Sequence, residues 1–124
     1  MYCSAGGFTR QGRPCGQGIV DWEQILPILG YFKPDLPISI EDHKWLFEVN
    51  VYDEHWQAHH PDLTPYEMGQ VMKHVWIIQQ KIDRGELPQV DEYEAIPFLD
   101  QLEERLLYGR DYLRNLVKKL GLEG

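Results

Sequence analysis

The sequence predicts an α/β chain in which a helix–turn–strand unit is followed by a mostly α-helical extension. Three observations predict it. Between Asp21 and Gly30 the apolar residues Trp22, Ile25, Leu26 and Leu29 recur at helical spacing. Ile38, Ser39 and Ile40 then read as a short strand that ends at the acids Glu41 and Asp42. From Thr64 onward the apolar residues return to a helical period and keep it to Leu120. We accordingly divide the chain into 1–50, the α/β unit with its Gly/Arg loop, and 51–124, the helical extension.

Residues 1–18 hold five of the eleven glycines, Gly6, Gly7, Gly12, Gly16 and Gly18, with Arg10 and Arg13 among them. This composition reads as an irregular loop, with a leader over the first seven residues. Glycines one residue apart permit tight turns and close approach to a ligand. A guanidinium forks onto oxygen-rich groups. Arg13 and Arg10 are therefore candidate substrate-binding residues, Arg13 being the stronger.

Asp21 and Gln24 resemble a capping box, with aspartate in the place of serine or threonine. Pro27 falls inside that helix, where it removes a hydrogen bond. Gly30 is the expected stop, and Lys33-Pro34-Asp35 a turn. The strand Pro37–Ile40 follows and delivers Glu41 at its exit, with His43 close behind. The aromatic stretch from Trp45 to Trp56 contains an alternation at Phe47, Val49 and Val51, which we read as a packed loop. Thr64-Pro65-Tyr66-Glu67 is the clearest local signal: a capping threonine, a first-turn proline and a glutamate at the third position. Met68, Val71, Met72, Val75, Ile78 and Ile82 continue that helix, and Gly85 ends it. Asp91 opens another, interrupted or restarted at Pro97, with its stripe at Leu99, Leu102, Leu106, Leu113, Leu116, Val117 and Leu120.

The 124 residues carry a formal net charge of -8. That opposes binding to nucleic acid or to anionic membrane surfaces, both of which require a basic face. No run of about 18 apolar residues is present, so no membrane-spanning helix is expected. The start of the chain lacks a charged segment followed by an apolar one, so we expect no signal peptide and a cytoplasmic protein. Cys3 and Cys15 form no metal or redox motif and read as reduced thiols.

Taken together, Arg13, Gly16-Gln17-Gly18, Asp21-Trp22, Ile25-Leu26 and Ile38-Ser39-Ile40-Glu41 occur in an order that resembles the last barrel unit of the xylose-isomerase-like sugar isomerase and epimerase family. The resemblance covers about a quarter of the chain. It implies a fold, the C-terminal part of an eight-stranded TIM barrel. It also implies a chemistry, in which a divalent metal (manganese, magnesium, zinc or cobalt) polarises a sugar carbonyl while a carboxylate moves the adjacent proton. By that resemblance Glu41 is both metal ligand and acid–base group, and Arg13, with Arg10 as the weaker match, holds substrate oxygens. The implied substrate is a keto-sugar or sugar phosphate. The family's other metal ligands come from earlier strands, which nothing before residue 8 supplies. The expected partner is therefore the N-terminal barrel portion, or a second copy through self-association, and the isolated chain is expected to hold no metal and to be inactive.

A second metal candidate, His55, His59 and His60 with Asp53, Glu54 and Asp62, reads instead as a polar loop, because Pro61 ends any helix there. Met68, Met72 and Trp76 read as core. The competing function is a non-catalytic helical interaction module that uses the Val71–Ile78 and Leu102–Leu116 stripes.

Overall fold

The computed structural model describes residues 2–4 and 7–123, the first three by their backbone alone. Met1, Ala5 and Gly6 of the expected leader, and the Cys3 side chain, lie outside the described residues. The elements are β1 (Tyr2–Ser4), β2 (Gly7–Gln11), α1 (Trp22–Phe32), β3 (Leu46–Val49), α2 (Glu54–Ala58), α3 (Pro65–Asp83), α4 (Val90–Ala95) and α5 (Phe98–Lys119). They form two compact units, each discontinuous in sequence. The first holds residues 1–12 and 44–96, and the second residues 13–43 and 97–124. Residues 50 and 51 both lie in the first.

In the first unit the strands form an antiparallel sheet in the order β1-β2-β3. The register sets Phe8 beside Val49 and Arg10 beside Phe47. Phe8 and Val51 are buried with Val75 of α3, and Val49, Trp56, Met68, Val71 and Met72 pack around them. The Thr64 cap forms as the sequence predicts. The Glu67 N–H donates to Thr64 Oγ1 at 3.2 Å, and the Thr64 N–H donates to Glu67 Oε2 at 2.9 Å. Gly85 follows α3 at φ 74°, a left-handed conformation that ends a helix cheaply. Beyond it Ile78, Ile82 and Val90 make a second small core with Leu87.

In the second unit α1 and α5 pack through Leu26, Leu113 and Leu116, with Cys15, Trp22, Ile40 and Tyr112 against them. The α1 cap is as expected: Asp21 Oδ1 accepts from the Gln24 N–H at 3.1 Å. Pro27 is inside α1, and the helix runs on to Phe32, past Gly30. Pro97 does separate two helices, α4 and α5.

The expected barrel fragment is not formed. The sheet is antiparallel throughout, and residues 36–45 contain neither strand nor helix. The alternation of Ile38 and Ile40 is real, but a strand also needs neighbours to pair its N–H and C=O groups. Pro37 removes one donor outright. Ile40 instead packs on the α1–α5 core, while Ile38 stays 47 % exposed. Two further expectations change. Part of the glycine-rich start, read as a loop, supplies β1 and β2. Leu46–Val49, read as a packed loop, is the strand that pairs with β2.

Candidate functional site

The segment Glu41-Asp42-His43 is held by its middle residue. Arg105 of α5 donates from Nε to Asp42 Oδ2 at 2.6 Å and from Nη2 to Oδ1 at 2.7 Å. The Arg105 side chain is 3 % exposed and that of Asp42 9 %. This is the planar, two-pronged fit that arginine makes with a carboxylate. Arg105 Nη2 also donates to the His43 carbonyl at 3.3 Å, and the guanidinium stands 6.0 Å from the Phe98 ring. In this segment the clamp buries Asp42 and leaves its two neighbours outside. There the His43 Nε2–H donates to Glu41 Oε1 at 2.8 Å, with the two side chains 66 % and 84 % exposed.

The result is an exposed carboxylate–imidazole pair on an anchored backbone. Glu41 offers a hard oxygen and His43 a borderline nitrogen, donors that a divalent cation accepts together. The pair by itself is incomplete as a metal site. Among the described residues no group of three His, Cys, Asp or Glu is placed to hold an ion.

The predicted substrate-binding arginines separate. Arg13 is half-buried in the second unit, which also contains Glu41. Arg10 belongs to the first unit, where its guanidinium stands 5.1 Å from both the Trp45 and Phe47 rings. Those rings stack on each other at 5.2 Å. A cation over two aromatic faces accounts for Arg10 without a substrate.

The histidine cluster is used locally. His59 Nδ1–H donates to the His55 carbonyl at 2.7 Å, and His60 Nδ1–H to the Trp56 carbonyl at 2.8 Å. These bonds satisfy carbonyls at the end of α2, where Pro61 prevents the helix from continuing. His60 also stacks on Trp56 at 4.1 Å. Trp56 and His60 help to line a groove of about 410 Å³ with Val51, Leu63 and Met68. A second groove, about 580 Å³, lies among Leu26, Ile38, Ile40, Leu113 and Val117. Glu41 lines neither.

Of the other expected core residues, Met68 and Met72 pack on the sheet as read, whereas Trp76 is 61 % exposed. The Cys15 thiol is half-buried, and burial pushes its pKa up, so it is held as the neutral thiol. No helix among the described residues is long and apolar enough to cross a membrane.

Sequence reasoning missed the Asp42–Arg105 clamp. The available signal was Arg105 itself, a guanidinium between Leu102 and Leu106 on the apolar stripe of α5. A charge on such a stripe needs a buried partner.

No protein-family model, curated protein or solved structure matches this chain.

Proposed function

We propose that this chain supplies the acid–base carboxylate, and one or two metal donors, to a sugar isomerase or epimerase completed by further protein. The observation that carries the reading is the Glu41–His43 pair at 2.8 Å, presented to solvent by the buried Asp42–Arg105 clamp. Support also comes from the resemblance of residues 12–43 to the xylose-isomerase-like sugar isomerases and epimerases.

In the reaction Glu41 takes the proton from the carbon beside the sugar carbonyl and returns it to the neighbouring carbon or to the opposite face. His43 holds the carboxylate in position and donates a hydrogen bond to it. Arg13 binds substrate hydroxyl or phosphate oxygens. A bound divalent cation supplies Lewis acidity to the carbonyl. Glu41 and His43 are the residues here that would hold it, and its remaining donors come from the completing protein. Arg10 has no part, being engaged with Trp45 and Phe47.

The test is to tag the chain at its native locus, purify the assembly and assay aldose–ketose interconversion and epimerisation with added Mn²⁺. Glu41→Gln is expected to lower the rate by about 100-fold or more, since general acid–base catalysis contributes roughly 10² to 10⁴. An unchanged rate in Glu41→Gln, or an assembly without sugar chemistry under any of the four metals, overturns the proposal.

A further inference from the structure

The groove of about 580 Å³ among Leu26, Ile38, Ile40, Leu113 and Val117 lies wholly in the second unit and takes no part in the proposed reaction. Leu26 and Leu113 tie its floor to the core of that unit. Ile38 lines it and is still 47 % exposed, so apolar surface in the groove is open to water.

Along α5 two rows border the groove. Leu113 and Val117 are four residues apart, and Arg110, Arg114 and Lys118 repeat that step beside them. Residues four apart lie over one another on a helix, so a row of cations about 12 Å long runs along an apolar strip. The chain holds 20 acidic residues against 12 Lys and Arg, yet three cations and a single acid, Glu123, line this groove. The helix dipole accounts for Lys118 in the last turn. It does not account for Arg110 and Arg114, because its influence fades within one turn of the end. Arg110 is held by Asp111 at 2.7 Å. Among the described residues neither Arg114 nor Lys118 has an ion pair. Set against Glu123, these two leave a surplus of one positive charge.

We propose that the groove binds a long-chain carboxylate, a fatty acid, with its chain on Ile38, Ile40, Leu113 and Val117 and its head between Arg114 and Lys118. The volume falls within the range of small-ligand sites, which are mostly apolar with a few polar groups that fix orientation. The charge selects the head. A surplus of one suits a singly charged carboxylate better than a phosphate monoester of nearly two charges. The arginine fork fits the two carboxylate oxygens. A neutral or cationic amphiphile leaves both cations unmatched. The volume selects a single chain: one turn of a peptide helix with its side chains already fills roughly 500 Å³, and one turn brings few acids to the row.

The test is titration of the full chain with dodecanoate below its micelle-forming concentration, read by calorimetry and by the methyl signals of Ile38, Ile40, Leu113 and Val117. Saturable one-to-one binding that moves these methyls is expected. Arg114→Gln and Lys118→Gln should each weaken it about fivefold, the upper range for an exposed charge pair. Ile38→Ser should weaken it by a similar factor, about fivefold, through lost apolar contact. Lys73→Gln, the same charge change in the first unit, should leave it unchanged. All four positions are exposed, and circular dichroism checks that each variant folds. Dodecyltrimethylammonium should bind far more weakly. Absence of saturable binding, shifts at Val51 and Met68 instead, equal binding of the cationic amphiphile, or indifference to Arg114→Gln and Lys118→Gln overturns the proposal. So does tighter binding of dodecyl phosphate or of an amphipathic helical peptide of Glu and Leu.

Discussion

Asp42 and Lys44 are two residues apart, yet each anchors a different unit by a different means. Asp42 belongs to the second unit, where its side chain is buried against a single guanidinium. Lys44 belongs to the first, where its half-buried ammonium donates to the main-chain carbonyls of Tyr93, Glu94 and Ile96 at the end of α4. The Asp42 anchor is a matched pair of ions cut off from water. The Lys44 anchor is a cation closing a helix whose last carbonyls water can also reach. Removing one partner therefore has unequal consequences. A buried charge left alone has no substitute, whereas exposed carbonyls rehydrate.

The largest effect tests that contrast. Arg105→Met should destabilise the second unit by about 3 to 5 kcal/mol, the usual consequence of stranding a buried ion. Asp42→Leu added to Arg105→Met should recover most of the loss, because a well-packed apolar pair often replaces a buried ion pair without penalty. Urea unfolding followed by the methyl signals of Leu113 and Val75 reads the two units separately. A stable Arg105→Met single variant would show that Asp42 is not isolated from water. The Lys44→Met change should be milder, about 1 kcal/mol, since these bonds are partly solvated. Equal losses at Lys44 and Arg105 would erase the distinction.

The next comparison sets a glycine from each unit side by side. Gly7 opens β2 at φ 136°, and a Cβ there would stand 2.5 Å from the Val49 carbonyl oxygen. That oxygen belongs to the paired strand and cannot retreat without breaking the sheet. Gly16 has φ 94°, and a Cβ there would meet the Tyr112 ring at 2.6 Å. Both substitutions strain the backbone, at about 1 to 3 kcal/mol. A ring on a side chain can swing aside where a ladder carbonyl cannot, so Gly7→Ala should fall at the upper end and Gly16→Ala at the lower. Thermal unfolding of the two variants decides the order.

What the sequence revealed follows the range of the forces involved. The caps at Asp21 and Thr64, the stop at Gly85 and the break at Pro97 depend on residues a few positions apart, and all were legible. The antiparallel sheet was not, because β2 and β3 are joined by register across almost forty residues, from Phe8–Gln11 to Leu46–Val49. The alternation at Phe47 and Val49 matched a strand, but nothing local named its partner. The reverse error occurred at Ile38 and Ile40, where a good alternation met no partner at all. Of the site, Glu41 and His43 were visible as residue types. The Asp42–Arg105 contact that presents them spans 63 positions and was marked only by an arginine out of place on an apolar stripe.

The smallest effect lies at the Thr64 cap of α3, an exposed contact where the Asp42–Arg105 clamp is a buried one, and it depends on pH. The Thr64 backbone N–H, and then its hydroxyl, donate to the Glu67 carboxylate and hold its pKa below the ordinary 4.5. A carboxylate whose pKa is lower in the folded state binds fewer protons there than when unfolded. Its contribution is therefore complete above pH 4.5 and is lost as the pH falls through the lower, folded value. Thr64→Ala removes the hydroxyl that accepts from the Glu67 N–H and should cost about 1 kcal/mol at neutral pH. It should also flatten part of the acid loss, because one of the two donors to Glu67 is gone. Urea unfolding of the parent and of Thr64→Ala between about pH 3 and pH 8 measures this dependence. If the Thr64→Ala difference from the parent is the same at pH 3 as at pH 7, the carboxylate takes no part in the cap, and the hydroxyl alone accounts for the start of α3.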